Sequence, residues 1–153
     1  MKKIFSILVL FLLSSSLACA QQSIVGTYKV KSFTVVIDGV GKETLGKAHG
    51  YVIFTPSRFA SIITSDKREF GTTIEARAAL WDTVLAYAGP YKTDGEKFSV
   101  NVDTSWNESW NGTQQVRTWK LEGNTLTLTT MPAPYSRDPS KIAFAVVVTE
   151  RVD

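Results

Sequence analysis

Apolar and polar positions alternate with a period of two along most of the chain after residue 24. That pattern places successive side chains on opposite faces of strands. Val25 to Val36 is rich in Val, Thr, Tyr and Phe and ends at the turn pair Asp38-Gly39. Tyr51 to Thr55 is a strand stopped by Pro56-Ser57, and Arg58 to Thr64 is its hairpin partner. Ala88 to Thr93 and Lys97 to Asp103 flank Asp94-Gly95, and Gln115 to Glu122 and Thr125 to Thr130 flank Gly123-Asn124. Pro132, Pro134 and Pro139 mark a loop before a last strand, Ile142 to Arg151. Thr72 to Ala86 breaks the alternation: Ile74, Ala78, Trp81 and Leu85 recur at the helical period, and Thr72 and Glu75 have the spacing of a capping box. Gly89-Pro90 bars the helix from running further. The pattern predicts an all-β domain, an antiparallel barrel of about eight to nine strands with one inserted amphipathic helix at about Thr72–Ala86. A β-sandwich with a helical insertion is the alternative.

The alternation also predicts what faces inward. Gln115, Arg117, Trp119 and Leu121 share one face, opposite Val116, Thr118, Lys120 and Glu122. Gly26, Tyr28 and Val30 share another, as do Tyr87, Gly89 and Tyr91; Phe98, Val100 and Val102; and Phe144, Val146 and Val148. The resulting lining is apolar and aromatic with a few polar points, Arg117 chief among them. A buried arginine has two readings. It latches the barrel base through backbone carbonyls and an aromatic ring, or it meets a carboxylate, enolate or phenolate on a ligand.

The first twenty residues read differently. Lys2 and Lys3 precede an apolar stretch from Ile4 to Leu13, and Ala18-Cys19-Ala20 has the form of a signal-peptidase site. The expectation is a signal peptide at residues 1–20, a domain at residues 21–153, and an exported protein, periplasmic or secreted. Ser16-Leu17-Ala18-Cys19 imperfectly resembles a lipobox, so a lipid anchor at Cys19 is the alternative. Without Lys2 and Lys3 the 17 Lys and Arg fall to 15 against 14 Asp and Glu, a net charge of about +1 instead of +3. No basic cluster remains, which argues against nucleic acid as a partner. The apolar stretch of the leader is too short to span a bilayer, and no transmembrane segment is expected in the mature chain.

Cys19 is the single cysteine, so the folded domain has neither disulfide nor thiol chemistry. His49 is the single histidine and precedes Gly50-Tyr51 at a strand start. There it is a general base at a pocket mouth or a solvated, locally bonded residue. No converging ligand set, phosphate loop or nucleophile motif is present, so no metal, cofactor or catalytic residue is assigned. Asn107-Glu108-Ser109 and Asn111-Gly112-Thr113 match the glycosylation sequon, and both read as chance matches in a polar turn.

Gly26-Thr27-Tyr28-Lys29-Val30 resembles the Gly-x-Trp opening of lipocalin-like proteins, with Tyr28 in the Trp place. Four segments follow in order: Gly50 to Pro56, Leu85 to Tyr91, Trp110 to Arg117 and Leu126 to Thr130. Their order and spacing, over about Ile24 to Val152, resemble the bacterial and fungal lipocalin-like domain family. The resemblance implies an antiparallel barrel with a central cavity for a small, mostly apolar molecule. Members often carry histidine where this chain has Val100-Asn101, so any acid–base role of that histidine is missing here. The residues expected to contact the ligand are Tyr28, Tyr51, Tyr87, Tyr91, Val100, Trp110, Arg117 and Trp119. Three functions remain open: a passive carrier or sensor of a small hydrophobic ligand, a cofactor-free isomerase, cyclase or hydrolase acting in the same cavity, and a structural role with the barrel fully packed and its surface used for partners.

Overall fold

A computed structural model of the chain describes residues 23–44, 48–135 and 138–153. The expected leader at residues 1–20, with Cys19, lies outside the described residues. Eleven strands run in chain order: β1 (Gly26–Ile37), β2 (Gly41–Thr44), β3 (His49–Phe54), β4 (Arg58–Thr64), β5 (Val84–Asp94), β6 (Lys97–Asn101), β7 (Thr104–Ser105), β8 (Gln114–Glu122), β9 (Thr125–Thr130), β10 (Ala133–Tyr135) and β11 (Asp138–Arg151). Helix α1 (Ile74–Trp81) lies between β4 and β5, and a 3-10 turn (Glu108–Trp110) between β7 and β8.

Eight of these strands close into an antiparallel barrel in the order β1-β3-β4-β5-β6-β8-β9-β11, with β11 returning to β1. Closure leaves no free sheet edge along the barrel wall. Strand β2 extends the far end of β1, β10 extends β11, and β7 pairs with β5 at Tyr87 and Ala88. The turns fall where their residues require them. Asp38 and Gly39, at φ +50° and +71°, join β1 to β2 in the backbone form that favours Asp-Gly.

The inward face of β8 carries Arg117, buried to 9 % exposure, and the half-buried Trp119 and Leu121, as the alternation predicts. Tyr28, Val30, Tyr87, Phe98, Val100 and Val102 are also buried. In β11 the phase is the opposite of the expected one. Ala145, Val147 and Thr149 point inward, while Phe144, Val146 and Val148 lie half-buried on the outer side. An unbroken apolar run carries no alternation to read, and the residue that fixes the phase is polar: buried Thr149 donates its hydroxyl to Leu126 O at 2.9 Å. A register shift between Val30 and Ser32 similarly brings Phe33 inside on β1.

The helix is shorter than predicted. Its N-cap is Thr73 instead of Thr72, accepting from Ala76 N at 3.2 Å. It ends where Thr83 donates from both its backbone N–H and its hydroxyl to Leu80 O. Val84, Leu85 and Ala86 are strand because they pair with Thr64, Ile63 and Ile62 of β4. That ladder overrides the local helical period and turns Leu85 into the barrel. No residue of α1 is buried, and Ile74 and Trp81 are exposed, so the helix does not pack an apolar face on the barrel. The proline-marked loop is also partly strand: Pro134 sits in β10 opposite Ile142, at the sheet margin where a missing N–H is tolerated.

Candidate functional site

The barrel interior divides along its axis. At one end Phe54 meets four other rings edge-on, Tyr28, Phe59, Tyr91 and Phe98, with centroids 5.0–6.4 Å apart. This aromatic plug fills the base. Tyr28 is completely buried and donates to Ile24 O at 2.9 Å, while its hydroxyl accepts from Arg151 Nη2 at 2.6 Å. The Arg151 guanidinium stands 5.0 Å from the centre of the Tyr28 ring, and Asp153 accepts from Thr27 N at 2.8 Å. Burial pushes the Tyr28 phenol above its usual range, against the opposing pull of Arg151. The latch at the barrel base is thus Arg151 on Tyr28. The signal for it in the sequence was the buried tyrosine itself, whose hydroxyl needs a partner.

Toward the other end the interior is hollow. A cavity of about 190 Å³ is lined by Phe33, Val52, Phe59, Ser61, Ile63, Leu85, Tyr87, Trp110, Arg117, Leu128, Thr130, Ala145 and Val147. Its polar groups sit on one arc of the wall. Ser61 on β4 is directly opposite Tyr87 on β5, and Arg117 on β8 is directly opposite Thr130 on β9. The arc β11-β1-β3 contributes only Ala145, Val147, Phe33 and Val52. The few polar groups therefore all fall on one arc, among the apolar Phe59, Ile63, Leu85 and Leu128, and the facing arc is apolar throughout.

Arg117 donates from Nη1 to Val116 O at 2.8 Å and from Nη2 to the Gln115 side-chain carbonyl at 3.3 Å. Its guanidinium lies 5.9 Å from the centre of the Tyr87 ring. No ion pair joins it to a carboxylate among the described residues. Burial pushes the Tyr87 phenol up, and the Arg117 charge beside it only partly offsets that. At neutral pH Tyr87 is consequently a neutral donor.

The aromatic segment after β6 covers this end. Trp110 packs edge-on against Tyr87 at 5.3 Å, and Trp106 against Trp110 at 4.8 Å. Local bonds hold the segment. Asn107 accepts from Ser109 N at 3.1 Å, Thr113 Oγ1 donates to Trp110 O at 2.7 Å, and Trp106 N donates to Ala86 O at 2.8 Å. Gly89 lets the end of β6 close on β5, because a Cβ there would fall 2.0 Å from Asn101 O.

Of the residues expected at a ligand, the structure brings Tyr87, Trp110 and Arg117 to the cavity. Tyr28 and Val100 lie in the core and the half-buried Tyr91 packs against it, its hydroxyl donating to Thr55 O at 2.9 Å. Tyr51 faces outward at 43 % exposure. Trp119 packs against the core and its buried Nε1 has no acceptor among the described residues. Trp119→Phe is therefore expected to change stability by less than about 1 kcal/mol, since the lost packing is offset by removal of an unpaired donor; chemical denaturation checks this. His49 is exposed and does not line the cavity. Ser61 and Thr130 were not among the expected residues. Ser61 was legible as a polar residue on the inward face between Phe59 and Ile63, and Thr130 only through its register with Arg117.

A closed eight-stranded barrel with a lined internal cavity defines a lipocalin-like, ligand-binding type of barrel. The chain matches the lipocalin-like domain over residues 25–152 and belongs to that family. No curated protein matches it. No helix among the described residues is long and apolar enough to cross a membrane, and no group of three or more metal-ligating side chains occurs among them.

Proposed function

We propose that this protein is an exported carrier or sensor that holds a small, mostly apolar molecule in the barrel cavity, in contact with Tyr87, Trp110 and Arg117. The observation that carries the reading is the cavity of about 190 Å³ with its largely apolar lining above a solidly packed base. Protein interiors are normally packed without voids of this size. An apolar cavity of about 150 Å³ is enough for benzene, so this one suits a single ring or a short chain with a small substituent. Export rests on the leader at residues 1–20, and the mass of the mature N-terminus distinguishes a start at Gln21 from a lipidated Cys19.

The alternative, a cofactor-free isomerase or cyclase, drew on His49 as its base. The exposed position of His49, off the cavity lining, gives that reading no support. Titration of a panel of ring-sized lipophiles tests the carrier. Ala145→Phe fills the cavity from its apolar wall and is expected to lower affinity for any bound member at least roughly tenfold while the barrel stays folded by circular dichroism. Binding that survives the substitution unchanged would place the ligand elsewhere.

A further inference from the structure

We propose that the molecule held in this cavity is a small organic carboxylate, its acid group paired with Arg117 and its hydrocarbon body laid against Phe33, Val52, Ala145 and Val147. The inference rests on the carrier reading above and names the ligand class for the same site.

Arg117 is a charge without a counter-charge among the described residues. It is nine-tenths buried. An arginine side chain carries a full positive charge in proteins, and a buried charge is costly unless paired. The acceptors within hydrogen-bond distance, Val116 O and the Gln115 side-chain carbonyl, are neutral, as is the Tyr87 hydroxyl that the guanidinium also approaches. The ring beside it belongs to Tyr87, which is neutral. Among the described residues that line the cavity, Arg117 is the one formal charge. An anion bearing a single charge neutralises the site.

Latching the barrel base is not the role of Arg117. The base is latched by Arg151, which bonds Tyr28 and lies against its ring. Arg117 lies at the cavity, on the arc that also holds Ser61, Tyr87 and Thr130. The Thr130 hydroxyl already accepts from Ala145 N at 2.8 Å, which leaves its own proton for an acceptor. Hydroxyl donors and a guanidinium fork on one arc favour a planar, two-oxygen group. The opposite arc is purely apolar, so the complementary molecule is an amphiphile with its acid at one end.

The test uses acid and alcohol pairs of equal size: 3-phenylpropanoate with 3-phenylpropanol, and octanoate with octanol. Calorimetric titration of the purified protein is expected to show at least one acid binding roughly tenfold or more tighter than its alcohol, as a charge-assisted pair implies. Arg117→Met is expected to erase that preference and leave the alcohol within about threefold of its original affinity. Arg117→Gln is the second variant, in case the first fails to fold. The ligand-free Arg117→Met protein is also expected to melt no lower than the parent, because a buried unpaired charge has been removed. Alcohols binding as tightly as acids, or acids binding equally well to both variants, would overturn the carboxylate assignment and leave the carrier standing. Failure of every acid and every alcohol to bind would overturn both.

Discussion

Replacing Phe54 by alanine is expected to destabilise the barrel by about 3–5 kcal/mol. Phe54 is 2 % exposed and is the ring on which the base plug converges. Its loss removes four aromatic contacts at once. The neighbours cannot close the gap, because Tyr28 is tied to Ile24 and Arg151 and Tyr91 to Thr55. A cavity that cannot collapse costs more than the transfer of the missing atoms alone. The same substitution at Leu85, beside the existing void, is expected to cost less than at Phe54, since it enlarges space already present. Urea denaturation of the two variants checks the ordering.

Gly50→Ala is expected to cost about 3 kcal/mol or more, although it adds one methyl group. Gly50 sits in β3 at φ +143°, a conformation side chains rarely adopt, opposite Ile63 of β4. A Cβ there would lie 1.9 Å from Ile62 O, a backbone atom held in the β3–β4 ladder. Two strands would have to part to admit it. Ile63 lines the cavity, so the shift is also expected to weaken ligand binding, which the neighbouring solvent-facing substitution Tyr51→Phe would not do. Thermal melting alongside ligand titration separates the two effects.

The strand framework was legible because it rests on local signals. Arg58–Thr64 and Thr125–Thr130 fall where alternation and turn residues put them, and Arg117 points inward as the phase of its strand predicts. What was not legible depended on partners distant in sequence. The helical period at Val84 to Ala86 lost to pairing with β4, and the phase of β11 was set by a hydrogen bond from Thr149 to Leu126. The latch was missed for the same reason, since Tyr28 and Arg151 lie at opposite ends of the chain. The site shows the same division. Tyr87, Trp110 and Arg117 were legible from a run of bulky polar residues, whereas Thr130 joined them only through register.

The barrel thus separates stability from binding along its axis. The base carries the packed rings and the Arg151 latch, and the other end carries a void, an unpaired arginine and a cover of tryptophans. A stable base tolerates an under-packed end, and proteins commonly keep such costly features where a ligand is to be met. Native mass spectrometry of the protein purified from its own cells, beside Ala145→Phe expressed in the same way, tests this most directly. The expected result is a bound small molecule on the parent protein that is absent from the filled variant. A parent that carries no added mass and takes up none from a lipophile panel, or a filled variant that retains the same adduct, would contradict it.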